Sequence, residues 1–137
     1  MKVKKIVELK TEYSFESNIY IASKNKNQKK NEVYKLDLNS LLTPKPEDYF
    51  LVKVSGESMI NEGIYDGDIL IVNRKEQAKN GSVVIAALNG ELAVKTYRVI
   101  DGVTYLFSAN EKFLPIEIKP YWEFQIQGIV KHVIHNI

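Results

Sequence analysis

From Tyr49 to Ile134 the chain alternates short runs of valine, isoleucine and aromatic residues with tight turn signals. The runs are Tyr49–Val54, Ile69–Val72, Ser82–Leu88, Glu91–Val99, Val103–Phe107 and Gln125–Ile134. Between them stand Asp66-Gly67-Asp68, Asn80-Gly81, Asn89-Gly90 and Asp101-Gly102. Branched and aromatic side chains suit a pleated, half-buried surface, and Asn-Gly or Asp-Gly tolerates the positive φ of a two-residue hairpin. The pattern predicts an all-β domain, with at most a short helical turn over Ser58–Glu62. No internal repeat is visible, and no helix-turn-helix can be placed.

Upstream the pattern fades. Residues 1–22 mix short apolar and polar stretches without a helical stripe. Ser23–Asn31 holds four lysines and no apolar residue, so it cannot bury enough surface to order itself and reads as a loop or linker. The expected division is a flexible N-terminal arm over 1–32 and a β-rich domain over 33–137. A length of 137 residues suits one core. Absence of cysteine excludes a disulfide framework, a thiol nucleophile and a thiolate metal site. No apolar run reaches the roughly 20 residues that span a bilayer, and charges interrupt the N-terminal stretch before a signal-peptide core forms. A cytoplasmic protein without a membrane partner is expected. A net charge of +2, from 19 basic and 17 acidic residues, does not predict nucleic-acid binding, and no sequence-specific DNA contact is expected.

With no cysteine and two histidines, the catalytic choices narrow. His132 and His135 are three apart, which on a straight strand points them to opposite faces; neither a metal ion nor another cofactor is expected. Ser58, in Ser55-Gly56-Glu57-Ser58-Met59, stands where a strand gives way to a helical turn. Backbone N–H groups there, at Ser58 and Met59, could hold an oxyanion, although a serine in that setting is more often a helix cap. Lys95 shares a strand face with Ala93 and Tyr97, and by itself reads as an exposed strand lysine. Together the two make a mechanism: burial lowers a lysine's pKa until the neutral amine can take a serine's proton.

Several ordered motifs resemble one family. Val52–Ile60 followed by Gly63–Val72 is similar to the nucleophile region of the LexA/UmuD-type S24 serine autoproteases. Gly81–Ala87 and Gly90–Lys95 resemble that family's next two strands, and Ser108-Ala109-Asn110, Pro115-Ile116 and Gln127–Ile134 its later ones. The resemblance runs from about Val33 to the C-terminus, and Lys95 follows Ser58 by 37 residues, as the family's spacing requires. It implies Ser58 as nucleophile and Lys95 as general base, in a β-rich autoprotease fold that is also shared by signal peptidases. Within the family, the absence of paired amphipathic helices before Ser58, and the likeness of Leu36–Leu42 to the segment leading into the nucleophile strand, point to the UmuD branch. That branch implies self-cleavage of the N-terminal arm in an SOS response to DNA damage, triggered by a recombinase filament on single-stranded DNA. The processed homodimer would then assist a Y-family DNA polymerase in translesion synthesis. The family cuts before glycine; here the position matched by distance is Ala22-Ser23, with Ile19-Tyr20-Ile21 expected to pair as an edge strand in the cleft. Type I signal peptidase wants a membrane anchor that the sequence does not offer. A non-cleaving regulatory β-dimer that binds a polymerase or recombinase is the alternative from another class.

Overall fold

The computed structural model describes residues 1–9, 18–22 and 33–137, with the backbone alone for 18–22 and 33–36. Its strands are β1 (Lys2–Glu8), β2 (Asn18–Ala22), β3 (Val33–Asp37), β4 (Tyr49–Ser55), β5 (Ile69–Asn73), β6 (Val83–Leu88), β7 (Glu91–Ile100), β8 (Val103–Phe107), β9 (Ile116–Glu117) and β10 (Phe124–Ile134). Every run read as a strand in the sequence is one, within a residue or so at its ends. Asn89 and Asp101 take φ values of 48° and 50°, the left-handed geometry for which those hairpins select Asn and Asp.

An antiparallel sheet of order β1-β4-β5-β10-β6-β7-β8-β9 carries the fold. It curls until Lys2 of β1 pairs both with Ser55 of β4 and with Ala93 of β7, closing a barrel. Two apolar clusters fill it. One gathers Met1, Val52, Val54, Met59, Ile64, Leu70, Val72, Ile85 and Val94; the other gathers Val84, Ala86, Leu106 and Ile129. β10 is split, pairing β6 through Phe124–Ile129 and β5 through Ile129–Ile134.

Three features depart from the sequence reading. Lys2–Glu8 belongs to the barrel rather than to an arm; a register shift between Val3 and Lys5 breaks the two-residue alternation that would have revealed the strand. β2 pairs with β3, Ile19–Ile21 opposite Tyr34–Leu36, and not with the cleft strands. Helical turns also occur beyond the nucleophile region. α1 spans Leu38–Leu42, where the Asp37 carboxylate accepts from Asn39 N–H at 2.9 Å, and a 3-10 turn spans Pro46–Asp48. Asp is a favoured N-cap because its side chain satisfies an orphan N–H of the first turn. The lysine-rich stretch 23–31 lies outside the described residues. Among those described, no helix is long and apolar enough to cross a membrane.

Candidate active site

Ser58 stands two residues before the 3-10 turn Ile60–Glu62, which follows β4. The turn closes on Gly63 at φ 76°, a left-handed position that a side chain would strain. Several bonds pin this bend. Gly56 N–H donates to the Asp66 carboxylate at 2.9 Å, and Asn110 Nδ2 donates to Glu57 O at 2.9 Å. Asn61 N–H donates to Ala109 O at 2.9 Å. Met59 beneath it is fully buried, and its sulfur accepts from Ala109 N–H at 3.3 Å. The serine expected at a strand-to-turn junction is there, 2% exposed, on a bend fixed from both sides.

Lys95 comes from the middle of β7, where Val94, Lys95 and Thr96 are all buried because the strand crosses the barrel. Its side chain is not the exposed strand lysine of the simpler reading: only 9% of the residue is accessible. Nζ donates to Ser108 Oγ at 2.6 Å and lies 5.7 Å from the centre of the Phe113 ring. Burial pushes the Lys95 pKa down from its ordinary value, partly opposed by a hydrogen bond with the Met1 amine. A depressed pKa is what a lysine needs in order to act as a base near neutral pH.

The third group was not foreseen. The Met1 α-amino group hydrogen-bonds to Ser58 Oγ and also engages Lys95. Among the described residues Ser58 and Lys95 make no direct hydrogen bond; the amine joins them. Desolvation, then the charge of Lys95, lowers the amine pKa from 8.0 to about 5. Keeping such an amine neutral at pH 7 costs at most about 1.4 kcal/mol, less any solvent screening. Burying a methionine side chain returns roughly 1.5–3 kcal/mol, and Met1 is 7% exposed within the first cluster, so apolar burial outweighs the cost of discharging the amine. The open face of the site is a cavity of about 240 Å³ lined by Met1, Lys2, Ser55, Gly56, Ser58 and Phe113.

The remaining sequence candidates lie elsewhere. Ala22 ends β2, opposite Val33, and Ser23 is outside the described residues. His135 Nδ1 is 2.6 Å from the buried Asp68 carboxylate, outside the Ser58 site, and among the described residues no cluster of possible metal ligands occurs. Ser108 was quoted in the sequence only as part of a motif, and its position against Lys95 gives it a role.

The antiparallel barrel thus carries a buried serine at the bend that follows β4 and a buried lysine on β7, with β1 between the two strands. The chain belongs to the Peptidase S24-like family, whose profile matches residues 17–131. It is 39% identical over 105 residues to the LexA repressor of Pasteurella multocida strain Pm70, an alignment covering 75% of this chain and 48% of that protein. It is 40% identical over 94 residues to the LexA repressor of Actinobacillus succinogenes, covering 67% of this chain and 45% of that one. The LexA repressor of Shewanella baltica strain OS155 is 39% identical over 92 residues, covering 66% and 45% respectively. The chain thus spans about half the length of the curated relatives it matches.

Proposed function

We propose that this chain is a self-cleaving serine peptidase with Ser58 as nucleophile and Lys95 as general base. The observation that carries the reading is the burial of both side chains, linked through the Met1 amine, with burial pushing the lysine pKa down from its ordinary value. Neutral Lys95 takes the Ser58 proton as Oγ attacks the Ala22 carbonyl carbon. Backbone N–H groups of Ser58 and Met59 face the resulting oxyanion. Collapse breaks the Ala22–Ser23 bond, Lys95 returns its proton to the Ser23 amine, and water hydrolyses the ester left on Ser58. Serine at position 23, where the family has glycine, makes the cut slower, and Ser23→Gly speeds it by freeing the backbone.

Intact mass after incubation is the test. Only the neutral lysine accepts a proton, so the rate climbs with pH through the Lys95 pKa and then levels; because burial lowers that pKa, the climb comes below the ordinary lysine range. Ser58→Ala and Lys95→Ala each abolish cleavage, by at least about a hundredfold. Wild-type protein that keeps its full mass at pH 10, and also with a recombinase filament on single-stranded DNA, would sink this reading in favour of a non-cleaving regulatory β-dimer.

Two settings fit such a domain. By resemblance of its motifs to the UmuD branch, the trimmed homodimer assists a Y-family DNA polymerase in translesion synthesis during the SOS response, in the cytoplasm. The relatives that carry the name LexA repressor favour a second reading, in which the same domain governs a repressor. Co-sedimentation of the processed protein with a Y-family polymerase supports the first and its absence the second.

A further inference from the structure

The geometry points to strand β1 as a built-in occupant of the slot that a cleavable segment must enter, so that cleavage waits for β1 to leave. The inference rests on the serine–lysine reading above. Between β4, which leads to Ser58, and the first half of β7, which carries Lys95, lies one strand's width of open sheet edge. β1 fills it. It pairs with β4 from Lys2↔Ser55 to Glu8↔Phe50, touches β7 at Ala93, and Met1 O accepts from Val94 N–H at 2.9 Å. The backbone groups that would hold an extended substrate by strand addition are therefore already engaged.

What β1 presents to Ser58 is a nitrogen rather than a carbonyl carbon. A nucleophilic serine needs a carbonyl carbon in front of its Oγ; here the neighbouring atom is the Met1 nitrogen, and the Met1 carbonyl is turned away to Val94. From Met1, β1 runs away from the site antiparallel to both walls.

Its grip suits a removable strand. Apart from Met1 and Val3, which reach the first cluster, its side chains are exposed, with Ile6 at 46% and Val7 at 41%; an Arg74–Glu8 ion pair fastens the far end. A segment held mainly by backbone bonds belongs to the low-stability end of a fold. An incoming strand replaces those bonds one for one, so exchange trades one ladder for another. The segment around Ala22 is the competitor.

Locking and loosening β1 test this. Lys5 and Lys53 are cross-strand partners, both exposed and away from Ser58, and the chain has no cysteine. Antiparallel partners stand within disulfide reach, so Lys5→Cys with Lys53→Cys gives a reversible lock. Self-cleavage at high pH should fall at least about tenfold in the oxidised form and return on reduction, because the rate follows the fraction of molecules with an open slot. Val3→Gly, which weakens packing and strand preference, should raise the rate by about tenfold. Equal rates in oxidised and reduced protein overturn the proposal and leave the serine–lysine reading standing. Should the reduced double variant itself be inactive while wild type cleaves, Val3→Gly decides: an unchanged or lower rate overturns the proposal. Failure of wild type to cleave under any condition removes the peptidase reading, and this inference with it.

Discussion

Ser108, Ala109 and Asn110 tie the two halves of the site together. Ser108 Oγ takes the Lys95 hydrogen bond at 2.6 Å, while Asn110 Nδ2 holds Glu57 O and Ala109 holds both Asn61 and Met59. One short segment thereby holds Lys95 and the Ser58 bend, the proposed base and nucleophile, in fixed relation. In the proposed mechanism Ser108 acts through Lys95, as a positioning residue: with Nζ donating to Ser108 Oγ, the lysine lone pair is free to turn toward Ser58. Ser108→Ala should lower the plateau rate of self-cleavage by roughly tenfold to a hundredfold, leaving the melting temperature nearly unchanged, and Ser108→Thr should restore most of it. A loss that Thr does not rescue, or one that tracks a drop in melting temperature, would make the role structural. This pairing could have been found in the sequence. Extending the Asp101-Gly102 hairpin from Ile100↔Val103 to Thr96↔Phe107 puts Ser108 opposite Lys95 at the next step. The Met1 amine had no such signal, because its position depends on how a distant strand threads.

Legibility at the level of elements follows the source of each strand's stability. β4, β5, β6 and β7 bury fully occluded side chains, so their composition announces them. β1 contributes backbone bonds and leaves most side chains exposed, so its sequence, Lys2-Val3-Lys4-Lys5-Ile6-Val7-Glu8, shows no clean alternation. β2 was legible as a strand but not in its pairing: strand character in Ile19-Tyr20-Ile21 is visible, but composition does not choose between β3 and the cleft as its partner. β10 spans both clusters, and Gly128 marks where it turns from β6 toward β5. A Cβ at Gly128 would come within 2.5 Å of Val72 Cγ1, 2.8 Å of Asn73 O and 3.2 Å of the Phe50 ring. No positive φ is involved; the need is space. Gly128→Ala should therefore destabilise the protein by about 1–3 kcal/mol, measured as a lower urea midpoint with an unchanged slope. A midpoint equal to wild type would show that β10 can shift without cost.

For the whole molecule, the open question raised by the fold is what covers the distal half of β10. Val130–Ile134 pairs with β5 on one side only, among the described residues, and Val133 and Ile134 are 37% and 42% exposed. An apolar strand with a free edge invites another strand, and a two-fold related copy is the simplest closed solution. This supports the homodimer of the proposed function. Sedimentation should show a dimer at tens of micromolar, about the range in which a modest interface is populated, and Val133→Lys should shift it toward monomer. A wild-type monomer at that concentration would remove dimerisation from the account.

Closure of the barrel by its first strand also constrains the order of folding. During synthesis β1 emerges ahead of both walls it must join, and Ala93 follows it by most of the domain. Loop closure over such separations is slow and comes after local hairpins have formed. The β6–β7 and β7–β8 hairpins, each joined by a two-residue turn, need no such wait. Ser58 and Lys95 therefore meet only when a long-range pairing joins their two sides, either β1 bridging β4 to β7 or β10 bridging β5 to β6, so assembly of the site waits on the slowest contacts of the fold.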